Sequence, residues 1–226
     1  MSCSVRSWLL RLLAFICTLA QCAFDESLVR GQYEAFPYPY IGTKNISEYP
    51  HLHPQHTLKG ANHFIYDGEL FERLAQGHHL RILIAGGGVG RETISYAGEL
   101  KQLGVSASVV HLDFSLTSID LARKWVAEFE LEEYVEFVHG SIEQFVAQHE
   151  THASPPFDII NSMGVLHHLE HPEHGLKLLR KILAPDGGMH ILVYGRHGRA
   201  GIYEIQEALR YSLPVSELLT NSERIS

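Results

Sequence analysis

From residue 81 onward, short apolar runs alternate with amphipathic stretches. Residues 82–85 read as a buried strand, and Ile94, Ala97 and Leu100 place one apolar stripe on the helix after it. "SASVVHLD" is a second strand, followed by a helix marked by Ile119, Ala122, Val126 and Phe129. "YVEFVHG" and "FDIIN" are the third and fourth strands, and Leu176, Leu179 and Leu183 line a helix whose first turn can begin at Pro172. "APDGG" then turns the chain into "MHILVYG", so that residues 188–194 form a fifth strand. Repeated strand and helix units with short connections predict an α/β fold, a doubly wound Rossmann-like parallel sheet with right-handed crossovers. Upstream, Phe64, Leu70, Phe71 and Leu74 have helical spacing with Gly77 as a stop. The Tyr-, Pro- and His-rich stretch from Gly31 to about His56 reads as an irregular arm, because its prolines exclude a continuous helix.

The resulting organisation is a leader over 1–24, the arm and helix over 25–80, the regular domain over 81–211 and a tail over 212–226. The leader carries Arg6 and Arg11, a short apolar stretch from Leu12 to Ala20, and all three cysteines, Cys3, Cys17 and Cys22. Secretory, membrane and organelle targeting all fit it, as does a plain N-terminal helix, whereas the cysteine-free body reads as cytoplasmic. Asn45-Ile46-Ser47 is a glycosylation sequon that matters only on a secretory route. At 226 residues and 45% hydrophobic content, the chain supports one ordinary domain with a core. Its formal net charge of -8, with no Lys/Arg-rich block, lacks the footprint expected of a phosphate-backbone binder. A small-molecule partner is expected instead.

In a doubly wound sheet the ligand lies at the carboxyl ends of the strands, beside the first one. There "RILIAGGGVGRETI" places Gly86, Gly87, Gly88 and Gly90. A dinucleotide loop would ask for glycine at position 91, where this chain has Arg91. The G-x-G-x-G spacing suits a nucleoside without a pyrophosphate, although glycine-rich turns also serve tight packing. Asp113 ends the second strand 23 residues beyond Gly90, where a carboxylate can accept hydrogen bonds from both ribose hydroxyls. Ser115 or Thr117 is available to cap the next helix, which leaves the acid for a ligand.

Taken in order, "ILIAGGGVG", "VVHLDFS", "HGSIEQF", "FDIINSMGVLHHLEHP" and "LAPDGGMHILVYGRHGRAGIYEIQEALR" resemble the successive motifs of class I S-adenosylmethionine-dependent methyltransferases. With "YEAFPYPY" upstream they are similar to a mostly bacterial subgroup sometimes joined to tetratricopeptide repeats. The resemblance covers about Tyr33 to Tyr211. It implies S-adenosyl-L-methionine as cofactor, with Gly86, Gly87, Gly88 and Gly90 under the methionine part, Asp113 on the ribose, Phe114 along the adenine, and Ser115 also among the cofactor-binding residues. It further implies Ser141 and Ile142 at the adenine edge, and Asn161, Ser162 and Met163 beside the sulfonium. Ile84 stands where many relatives have an acid.

Methyl transfer from a sulfonium asks mainly for alignment and exclusion of water, and for a base only when the nucleophile arrives protonated. His167, His168 and Tyr194, with Glu170 nearby, are the candidates for that role. Each also has a bland reading as cap or packing residue. Histidines 167, 168, 171 and 174 do not make a convincing metal set without cysteines and with Pro172 among them. Tyr38 and Tyr40 of the arm are candidates to close over the cofactor or to pack on the sheet edge. Two further edge strands, usual in a full class I sheet, are not visible after Tyr211, which predicts an open, self-associating edge on the fifth strand. Three readings stay open: an active methyltransferase for a small molecule, a cofactor-binding remnant without turnover, and an NAD(P)-dependent oxidoreductase.

Overall fold

A computed structural model of the chain describes residues 26–38, 57–195 and 197–212. The leader, Tyr40, the sequon and the tail beyond 212 lie outside them. The chain divides into two units, Tyr33–Val193 and a second made of residues 1–32 with 194–226. The described part of the second unit contains the start of helix α1 (Glu26–Ala35), a 3-10 turn at His197–Arg199 and helix α8 (Ala200–Ser212).

Within Tyr33–Val193 the order is α2 (Leu58–Phe64), α3 (Leu70–Ala75), β1 (Leu80–Ala85), α4 (Arg91–Leu103), β2 (Ala107–Asp113), α5 (Leu116–Glu128), β3 (Val135–His139), α6 (Ile142–Thr151), β4 (Phe157–Met163), α7 (Pro172–Lys181) and β5 (Leu183–Leu192). The strands form one parallel sheet in the order β3-β2-β1-β4-β5. The order reverses between β1 and β4. In such sheets ligands bind at that switch point, at the carboxyl ends, where the loops after β1, β2 and β4 lie.

Each face of the sheet is covered, as parallel strands require. On one face Ile82, Ile84, Val109 and Ile159 pack against Leu58, Leu70, Tyr96 and Leu100, from α2, α3 and α4. On the other, Leu83, Ala85, Val110 and Ile160 pack against Val146 of α6 and Leu179 of α7. At the amino ends Asp158 joins the layers: its carboxylate accepts from the Arg81 backbone N–H at 2.7 Å and meets His78 Nε2 at 3.0 Å, while its carbonyl accepts from the Tyr66 hydroxyl at 3.0 Å.

Several expected boundaries differ. Gly31–Ala35 is the end of α1 rather than irregular chain. The region around Phe64 to Leu74 is two helices, because Asp67 and Gly68 adopt positive φ (49° and 93°) and break the helical run. The fifth strand begins at Leu183 and ends at Leu192, rather than spanning 188–194. Leu183 therefore leaves the helix stripe and pairs with Phe157, and the register resumes at Ile159 opposite Gly188. The "APDG" residues 184–187 bulge out against the single Asp158. At Gly187 a Cβ would stand 2.6 Å from the Asp158 carbonyl oxygen, so the bulge closes only on glycine. Within the described residues β5 is an edge strand, and Ile191 and Leu192 are exposed on it.

Candidate functional site

The glycine loop is held from four directions. Gly86, Gly88 and Gly90 have positive φ (80°, 53° and 94°). Each glycine also faces a different neighbour: a Cβ would come within 2.4 Å of Val165 Cγ2 at Gly86, 2.3 Å of the His111 ring at Gly87, 2.5 Å of the Tyr38 carbonyl at Gly88, and 2.8 Å of Ala122 Cβ at Gly90. These contacts bear out the tight-packing reading of the glycines.

His111 is the floor beneath this loop. It interrupts the apolar run of β2, is fully buried, and its Nδ1 lies 2.8 Å from the Thr93 hydroxyl on the first turn of α4. Burial, with the Arg123 charge adding to it, lowers the imidazole pKa to about 3, so the ring is neutral at physiological pH. Sequence reasoning passed over His111. The one polar residue inside "VVHLD" was the available signal.

Asp113 ends β2 with 6% of its surface exposed. Its Oδ2 accepts from the Gly88 N–H at 2.7 Å and its Oδ1 from the Ser115 N–H at 2.9 Å. The expectation that this acid stands free of local duties is therefore corrected, because it ties the glycine loop to the start of α5. The Phe114 N–H also hydrogen-bonds this carboxylate, so one of its roughly four lone-pair sites is left for a ribose hydroxyl. Burial pushes its pKa up, against the hydrogen bonds from Ser115 and Gly88 that favour the charged form.

The other nominated residues divide. Phe114 is half-buried, with the Tyr33 ring edge-on at 5.7 Å. Ser115 caps α5, its hydroxyl accepting from the Ser118 N–H at 3.1 Å and donating to the Tyr33 carbonyl at 3.4 Å. Thr117, the other possible cap, instead serves Glu34. Ser141 caps α6 in a reciprocal pair with Gln144, so its hydroxyl is engaged, while Ile142 opens that helix and is buried. Asn161 and Ser162, just before the end of β4, are almost fully buried; the Asn161 side chain meets the Tyr96 hydroxyl, whereas the Ser162 hydroxyl finds no hydrogen-bond partner. Asn161 lies across from Ile84 in the register, and half-buried Met163 follows Ser162 to close β4. An unpaired buried hydroxyl at the carboxyl end of a central strand fits a ligand that completes it.

His167 and His168 sit in a 3-10 turn after β4, half-buried, with ring centroids 4.1 Å apart. His168 also meets Tyr33 edge-on at 6.1 Å. Glu170 is exposed. Tyr194 belongs to the other unit, where the Arg199 guanidinium lies 3.2 Å from its ring centroid. Among the described residues no group of three His, Cys, Asp or Glu side chains is placed to hold a metal.

The five-strand order, the glycine loop at its switch point and the acid ending β2 are now joined by a match to the family model described as "Methyltransferase domain", over residues 83–191. Residues 83–191 are a methyltransferase domain. An uncharacterised protein of Synechococcus sp. is 39% identical over 129 residues, 57% of this chain and 29% of that one. The tRNA 5-carboxymethoxyuridine methyltransferase of Escherichia coli is 29% identical over 119 residues, 53% of this chain and 42% of that one. The chain thus spans less than half the length of these relatives. Among solved structures, the plantazolicin methyltransferase BpumL in complex with SAH superposes with a TM-score of 0.50 at 18% identity, covering 86% of this chain and 64% of that one. That likeness confirms the class I fold around the methyltransferase domain.

Proposed function

We propose that the chain is an S-adenosylmethionine-dependent methyltransferase acting on a small-molecule acceptor. The observation that carries the reading is Asp113, a buried carboxylate held by the backbone N–H groups of Gly88, Ser115 and Phe114 at the junction of a G-x-G-x-G loop and the second strand. The residues present fit the cofactor. Asp113 would receive a ribose hydroxyl, the glycine loop would face the methionine part, Phe114 and Ile142 would flank the adenine, and the buried Ser162 hydroxyl would find the partner it lacks. Ser141, committed to capping α6, leaves the Ile142 backbone as the better adenine contact.

When bound, the cofactor supplies an electrophilic methyl on a positively charged sulfur. This chain's residues then have to align the acceptor and exclude water. His167 and His168 stand on the turn after β4, where a neutral imidazole can take a proton from a hydroxyl or amine acceptor. The net charge of -8 supports a small molecule over a nucleic acid, while the similarity to a tRNA methyltransferase keeps an RNA acceptor as the second reading.

Titration calorimetry with S-adenosylhomocysteine, beside NADH as control, tests the cofactor assignment. Asp113→Ala should weaken S-adenosylhomocysteine by about 1.5–3 kcal/mol, the range for losing charge-assisted hydrogen bonds. Equal affinity in parent and variant removes Asp113 from the site, and NADH binding competed by S-adenosylhomocysteine overturns the cofactor. Labelled-methyl transfer into small-molecule and RNA fractions of a cell extract then separates the acceptor classes, and no transfer at all returns the chain to a binding remnant.

A further inference from the structure

The segment from Tyr33 to Tyr38 touches all three of the loops after β1, β2 and β4. On the loop after β2, the Glu34 carboxylate accepts from the Leu116 N–H at 2.7 Å, the Thr117 N–H at 3.0 Å and the Thr117 hydroxyl at 2.5 Å. On the loop after β1, the Tyr38 carbonyl accepts from the Val89 N–H at 3.3 Å. Next to the first pin the Tyr33 ring stands edge-on to Phe114 and to His168 of the loop after β4.

The accounting at α5 shows what Glu34 adds. An α-helix begins with N–H groups that have no partner in the helix. Here Ser115 caps the Ser118 N–H, whereas the N–H groups of Leu116 and Thr117 go to Glu34, 82 and 83 positions upstream. A carboxylate at a helix N-terminus is also favoured by the helix dipole. Although burial works against it, the hydrogen bonds from Thr117 and Leu116 leave the Glu34 pKa below its ordinary value. The pinned loops are the same two whose N–H groups hold Asp113. A nucleoside whose ribose reaches Asp113 must therefore pass a segment fixed on both sides of that acid. Tyr38 and Leu116 are more than half exposed, so the fastening can open toward solvent without carrying a charge through the core.

We propose that Glu34 is a positioning residue of the cofactor site, the latch of a strap running from Tyr33 to Tyr38 that sets the rates at which a nucleoside cofactor enters and leaves. The proposal rests on the cofactor reading above. A latch differs from a binding contact in its kinetics. Removing a contact raises the dissociation rate alone, but removing a latch raises association and dissociation together and changes the equilibrium constant less than either.

The test uses the full 226-residue chain and S-adenosylhomocysteine, with rates from rapid mixing and an unlabelled chase. Glu34→Ala should raise both rates about tenfold or more, the scale of losing hydrogen bonds to a charged group. Thr117→Val, which deletes one donor and leaves the helix intact, should move both rates the same way by less. Glu34→Ala combined with Leu116→Asp returns a carboxylate to the first turn of α5 without reconnecting the strap. It should restore the melting temperature and leave both rates fast. Rates of Glu34→Ala and Thr117→Val within about twofold of the parent, a change in dissociation alone, or slow exchange restored by Leu116→Asp would each overturn the latch while leaving the cofactor reading standing. A parent chain that binds no S-adenosylhomocysteine sinks the cofactor reading, and the latch with it.

Discussion

Lowering the pH from 7 to 5 should destabilise the fold through one buried ring. In the unfolded chain His111 takes a proton near 6.5, whereas in the folded protein burial holds it neutral down to about pH 3. The unfolded state therefore binds more protons throughout that window, and stability falls as pH drops through it. Between pH 7 and 5 the loss attributable to His111 is about 2 kcal/mol, and the figure barely changes for any folded pKa below about 4. The reference is His111→Asn, whose amide can still reach the Thr93 hydroxyl but does not titrate. Urea unfolding followed by circular dichroism, on parent and variant at both pH values, cancels the other histidines. The parent should lose about 2 kcal/mol more than the variant. Equal losses would mean that His111 is not a neutral, buried ring, and the floor of the glycine loop would need to be redrawn.

Gly87→Ala should destabilise the fold and weaken S-adenosylhomocysteine, because its Cβ would stand 2.3 Å from the His111 ring. His111→Ala in the same chain should recover part of both losses, and a double-mutant cycle with no coupling in either denaturation or calorimetry would contradict that packing. Gly187→Ala meets a backbone carbonyl rather than a movable side chain, so it should cost about 1–3 kcal/mol of stability in urea unfolding. Its affinity for S-adenosylhomocysteine should stay at the parent level, and a matching loss of affinity would show that the β5 bulge communicates with the site.

The alternation of apolar runs with amphipathic helices was enough to locate the strands, and most plainly β1, β2 and β4, whose burial on both faces makes them nearly continuous apolar runs. The start of β5 was not legible. "APDGG" has the composition of a turn, and only pairing with Phe157 reveals a strand that bulges around Asp158. For the site, the glycines and Asp113 could be named from spacing, but their mutual tie through the Gly88 N–H joins positions 25 apart in a geometry that spacing does not encode. Local rules for helix starts anticipated Ser115 as a cap. They could not anticipate Glu34, because a partner 82 residues away leaves no periodic or short-range trace. The engaged hydroxyl of Ser141 is the opposite case, because its capping box with Gln144 is a local signature legible in the sequence.

The place of β1 in the middle of the sheet also bears on how the protein is made. Its two neighbours are β2, which begins at Ala107, and β4, which begins only at Phe157. During synthesis the first three strands emerge as a half-sheet whose apolar β1 edge, Ile82 to Ile84, waits for its second partner across roughly 70 residues, or about 4–15 s at ordinary elongation rates. A chain with so late a central pairing is most exposed to misassociation on the ribosome during that interval. Slowing translation between codons 86 and 157 should lower soluble yield more than an equal pause after residue 192.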